Sequence, residues 1–143
     1  MKKLLLGLVA SLVGVAFATD YTWTGNGGDG KWTTAENWSP STGYPNTADD
    51  GVTIAGDATI ALQDGESIVF KQATITSGTV TLTSEGTGKF VASHAWPDGF
   101  AVNAGATLKL FATVDVSNRF DVSGNGHCIV AGTVSGCPTF MAN

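Results

Sequence analysis

Few side chains in this sequence have the types and spacing needed for chemistry. His94 and His127 are the two histidines, so any Ser-His-Asp or Cys-His arrangement must use one of them. Ser93, Ser123 and Ser135 sit in Thr/Ser/Gly-rich strands or turns, with no nucleophile-elbow pattern to mark one as activated. Carboxylates pair at Asp49-Asp50 and at Asp64 with Glu66. Glycoside hydrolysis would need two such groups held about 5 to 10 Å apart across a sugar cleft, and a chain this short has little surface from which to build one. Gly25-x-Gly27-x-x-Gly30 formally matches a dinucleotide fingerprint, but no helix-forming run follows it, and Trp32 stands where a phosphate loop beginning at Gly30-Lys31 would need Ser or Thr. No catalytic residue is assigned, and the chain is not expected to be an enzyme.

Binding chemistry has more material. Asn26, Asp29, Asp49, Asp50 and Asp57 are hard oxygen donors that would suit calcium, the inorganic ligand considered; no calcium-loop spacing is met, and such residues also stabilise turns through their own side chains. No metal is assigned. Cys128 and Cys137, with eight residues between them, are expected to form a disulfide if exported, worth about 2–3 kcal/mol in the chain-entropy model. With His127 they lack the paired Cys-x-x-Cys spacing of a zinc site. Trp23, Trp32 and Trp38, with Tyr44, admit two readings: large apolar rings closing the end of a narrow β core, or a flat platform for sugar rings. Asn37-Trp38-Ser39 fits the glycosylation acceptor rule.

The elements that would position these residues follow from composition and pattern. The 143 residues are 43% hydrophobic and 13% charged, with 7 basic and 12 acidic side chains, which fits one domain and excludes a basic surface for nucleic acid. Lys2 and Lys3, the apolar run at 4–17 and the small-x-small ending Ala16-Phe17-Ala18 read as a secretory signal peptide over 1–18. Its removal leaves five basic against 12 acidic residues, net −7, and no later run is long and apolar enough to span a bilayer. The expected location is secreted, extracellular or at the cell surface, with the periplasm as the alternative.

Residues 19–50 are rich in Gly, Asn, Asp, Thr and Trp and read as loops around one or two short strands. From residue 51 the texture changes to short β-branched and aromatic runs at 52–54, 59–62, 67–75, 79–83, 89–92, 100–103, 107–116, 120–122 and 128–134, separated by turn residues. Such spacing predicts an all-β fold. Gly51, Gly78, Gly105 and Gly132 stand 27 apart, each opening a strand-like stretch, which suggests the coils of a parallel β-solenoid. A β-sandwich is the competing architecture.

An ordered set of residues adds to this reading. Tyr21-Thr22-Trp23-Thr24-Gly25, Gly27-Gly28-Asp29-Gly30-Lys31-Trp32, Ala35-Glu36-Asn37-Trp38, Tyr44-Pro45 and Asp49-Asp50-Gly51-Val52-Thr53-Ile54 resemble the segment that opens autotransporter-associated β-strand repeat proteins and related bacterial surface β-helix proteins. The resemblance implies a short right-handed parallel β-helix outside the cell, with the Trp/Gly-rich segment 19–50 as its cap and 51–143 as its coils. The function expected is a structural or adhesive module, with a carbohydrate-binding module as the alternative and a small polysaccharide-active enzyme as the third reading. Expected partners are extracellular glycans, surface proteins, or another copy of the chain meeting an open strand edge.

Overall fold

Runs of Val, Ile, Thr and Phe bounded by Gly, Asp and Asn turns fold as short strands in which alternate residues are buried. The computed structural model describes residues 18–92, 99–116, 120–135 and 140–142. Residues 1–17 of the signal peptide expected at 1–18 lie outside them, as do Ser93, His94 and Cys137. The N-terminal segment carries β1 (Asp20–Trp23), one turn of 3-10 helix (Ala35–Asn37) and β2 (Trp38–Ser39). There follow β3 (Gly51–Ile54), β4 (Ala58–Leu62) and β5 (Ser67–Phe70), then β6 (Gln72–Ile75), β7 (Thr79–Ser84) and β8 (Lys89–Ala92). Next come β9 (Gly99–Val102), β10 (Thr107–Leu110) and β11 (Thr113–Val116), and finally β12 (Phe120–Ser123), β13 (His127–Val130), β14 (Val134–Ser135) and β15 (Phe140–Ala142).

The strands form three sheets. Sheet 1 has the order β15-β12-β9-β6-β3-β1-β2, sheet 2 β13-β10-β7-β4 and sheet 3 β14-β11-β8-β5. From β3 onward every strand pairs in parallel with the third strand after it, and only β1 with β2 is antiparallel. A sandwich of hairpins would pair consecutive strands antiparallel, so the architecture is all-β with mostly parallel sheets. Between parallel neighbours from β3 to β15 the register advances by 20 to 28 residues. The even 27-residue step of the glycines is therefore not the register. Gly51 opens a strand of sheet 1, Gly78 and Gly105 precede strands of sheet 2, and Gly132 precedes one of sheet 3.

Each sheet turns one row of side chains inward. Val52, Ala73 and Phe100 line up in sheet 1, Ile60, Leu82 and Leu110 in sheet 2, and Ile68, Phe90 and Val114 in sheet 3, all buried in one shared core. Corners between sheets are tight. Lys71 alone separates β5 from β6, and Gly78 turns the chain into β7 at φ +73°, where a Cβ would overlap the backbone of Gly56 and Asp57 in the corner beneath it.

Candidate functional site

The N-terminal segment holds most of the residues that sequence alone marks for binding, and its geometry is that of a cap. Three sheets that start at β3, β4 and β5 would leave three open edges, each a row of unpaired N–H and C=O groups. The N-terminal segment reaches each of them, by strand pairing on sheet 1 and at single positions on sheets 2 and 3. On sheet 1, β1 pairs with β3, and β2 adds the antiparallel outer strand. On sheet 2, Trp32 donates its N–H to Ala61 O at 3.1 Å, and Ala61 donates to Gly30 O at 2.9 Å. On sheet 3, Val69 donates its N–H to Asn46 Oδ1 at 3.4 Å, and Thr33 donates its hydroxyl to Glu66 Oε1 at 2.9 Å.

Aromatic rings fill the space beneath. Trp32 and Trp38 are 0% and 1% exposed. Trp38 meets Trp23 at 5.0 Å between ring centroids and Trp32 at 4.7 Å, and Trp32 continues the contact to Phe90 at 5.0 Å, each edge to face. Phe70 and Phe100 extend the chain of rings into the core at 5.6 Å. Such pairs add about 0.5–1.5 kcal/mol each beyond the burial itself. Both indole N–H groups are satisfied inside: Trp32 donates to Pro45 O at 2.9 Å, Trp38 to Trp32 O at 2.6 Å. The sugar-platform reading is therefore corrected for Trp32 and Trp38, whose ring faces are not available to a ligand. Trp23 and Tyr44 are half-buried and pack against the same core.

Three of the five oxygen donors considered for calcium, Asp29, Asp50 and Asp57, are engaged with the protein's own donors. Asp50, buried, accepts backbone N–H bonds from Thr19, Asn46 and Thr47 at 3.2, 3.0 and 2.9 Å. Asp29 accepts from Lys31 N–H at 3.0 Å, the Thr34 hydroxyl at 2.7 Å and Asn37 Nδ2 at 2.7 Å. The Thr34 hydroxyl above all, then the Lys31 N–H, lowers the Asp29 carboxyl from 3.8 to about 2. Asp57 accepts from Thr79 N–H at 2.8 Å, while Asn26 and Asp49 are exposed. Among the described residues no three His, Cys, Asp or Glu side chains gather where one metal ion could be held.

The carboxylates paired in sequence separate into distinct loop duties. Asp64 accepts both the N–H and the hydroxyl of Thr87 at 2.8 Å, which lowers its pKa, and Glu66 accepts Gln63 N–H at 2.8 Å. His127 and Ser135 are exposed. Among the described residues Cys128 is a free, half-buried thiol whose pKa burial raises; the cysteine expected to bridge to it, Cys137, lies outside them.

Asn37 is the residue that sequence reading undervalued. It is fully buried, so the glycosylation reading of Asn37-Trp38-Ser39 does not apply to the folded chain. Its carbonyl accepts the N–H groups of Thr24 and Gly25 at 2.7 and 3.2 Å, and its Nδ2 donates to Asp29 Oδ1 and to Lys31 O at 2.7 and 2.9 Å. Its Oδ1 has no hydrogen-bond partner and lies where a Cβ on Gly27 would come within 2.7 Å, so only glycine lets the loop close over it. The one local signal is an Asn eight residues after an Asp in a glycine-rich turn. Beside this hub runs a shallow groove of about 430 Å³ lined by Thr24, Asn26, Glu36, Trp38, Ser39 and Ser41. Comparison with known proteins finds no family model, curated protein or solved structure that matches the chain.

Proposed function

We propose that the chain is a secreted or surface-associated structural or adhesive module without enzymatic activity, built as a short β-solenoid behind an N-terminal cap. The observation that carries the reading is the cap itself: one segment pairs with the starting edge of sheet 1 and bonds those of sheets 2 and 3 at Ala61 and Val69, and its carboxylates hold backbone N–H groups in place. Parallel sheets normally bury both faces. Here each is apolar inward and polar outward around one core, an arrangement that suits stacked coils. The resemblance of 21–54 to the opening of bacterial surface β-helix proteins supports the same reading, as does the export signal expected at 1–18. Function would then be geometric, a rigid stack presenting loops to a partner.

Carbohydrate binding is the second reading, favoured by the groove with its hydroxyl, amide and carboxylate lining. One experiment separates the two. The purified protein is applied to glycan arrays and insoluble polysaccharides, alongside Trp38→Ala and the exposed groove variants Asn26→Ala and Glu36→Ala. The structural reading expects no selective glycan retention, and a loss of about 3–5 kcal/mol in denaturant unfolding for Trp38→Ala. Selective retention that Asn26→Ala or Glu36→Ala abolishes at unchanged melting temperature replaces it with the carbohydrate-binding reading.

A further inference from the structure

The end of the stack opposite the cap differs from the capped end in three respects. β13, β14 and β15 are the terminal strands of their sheets, and among the described residues no segment pairs with their outer sides. The core columns also stop unfinished there. Leu82 and Leu110 are 0% exposed, yet Val130, next in the same ladder, is 36% exposed; Cys128 and Val134, which follow the buried Leu108 and Val114, are half-buried. Ile129 and Phe111, 49% and 50% exposed, stand beside them, and with Val130 they are the exposed large hydrophobics among the described residues. Finally, residues 122–143 contain no Asp, Glu, Lys or Arg, in a chain of net charge −5.

Natural edge strands are blunted by charges, proline or a covering segment, and β13 carries neither charge nor proline. We propose that this end docks a second copy of the chain, end to end about a two-fold axis, with β13 of one protomer antiparallel to β13 of its partner. Charge selects the partner. Two copies of an acidic molecule repel least where both are neutral, and this end is the neutral one. The cap selects the geometry. With β3 paired to β1 and the starting edges of sheets 2 and 3 bonded by the N-terminal segment at Ala61 and Val69, the capped end is the less open one, so like ends meet and assembly closes at two. A register that sets Ile129 opposite its own copy keeps Cys128 and Val130 on the core side of both protomers, because opposed residues of an antiparallel pair share a face.

The test is sedimentation equilibrium of the purified protein with reductant present, so that no disulfide between copies contributes. The expected result is a dimer that Ile129→Lys weakens at least about tenfold. Thr59→Lys, in the same outward row at the capped end of sheet 2, should leave it unchanged. A wild-type monomer at about 100 µM, an Ile129→Lys variant that associates as tightly as wild type, or a mass that climbs past two chains overturns the proposal. Should Ile129→Lys fail to fold, hydrogen exchange of the wild type decides. Protection of β13 amides must then rise with protein concentration while that of β7 does not, and concentration-independent exchange overturns it.

Discussion

Asp29 illustrates how a carboxylate in a glycine-rich turn becomes structural rather than reactive. Three donors converge on it and hold its pKa at about 2 against an ordinary 3.8, the Thr34 hydroxyl acting most strongly. A folded-state pKa below the unfolded one gives stability that is fully present above the unfolded value and is lost as pH falls through the folded one. The melting temperature should therefore decline from about pH 4 to about pH 2, with Asp64, also lowered, adding in the same direction. Asp29→Asn should be less stable at neutral pH and decline less steeply over that window, measured by circular dichroism melts. Identical slopes for variant and wild type would remove Asp29 from this account. Sequence alone marks Asp29 as an oxygen donor but leaves its partners open. Asn37 is harder to read, because what makes it a hub is the return of Thr24 and Gly25 onto its carbonyl, a closure that depends on the whole loop and leaves no local periodicity.

At the scale of elements, strand positions were legible and corners were not. The runs at 67–75 and 107–116 read as continuous, but each divides into two strands of different sheets, at Lys71 and at Phe111-Ala112. β-branched content reports that a residue suits a pleated surface, and it carries no information about which sheet that surface belongs to. Corner glycines are where this shows energetically. Gly78 combines φ +73° with a Cβ position overlapping the next corner's backbone, whereas Gly65, at φ +81°, has open space around it. Gly78→Ala should cost more than the roughly 1–3 kcal/mol of left-handed strain alone, and Gly65→Ala only that strain. Urea unfolding of the pair checks it; equal costs would mean that the corners do not stack tightly enough for a methyl group to matter.

For the molecule as a whole, alternation of apolar and polar residues disclosed an all-β chain. The parallel pairing was expected, but its register stayed hidden because steps of 20 to 28 residues carry no single period. The two ends of the three sheets then set how the molecule behaves. One is contacted by the N-terminal segment at all three sheets; the other has no charged residue from 122 on and, among the described residues, no pairing on its outer strands. Removing residues 19–50 would free the outer sides of β3, β4 and β5 and uncover the Phe70 and Phe90 rings that Trp32 now covers. Both ends would then offer strand edges, and contacts between unlike ends generate open assemblies instead of closed ones. The truncated chain should therefore retain a β-rich circular dichroism spectrum while its light-scattering mass grows with concentration beyond that of the full chain. A truncated chain with unchanged mass and melting temperature would show that the cap neither terminates assembly nor stabilises the core. The hydrogen bonds to Ala61 and Val69 would then be incidental rather than what protects the starting edges of sheets 2 and 3.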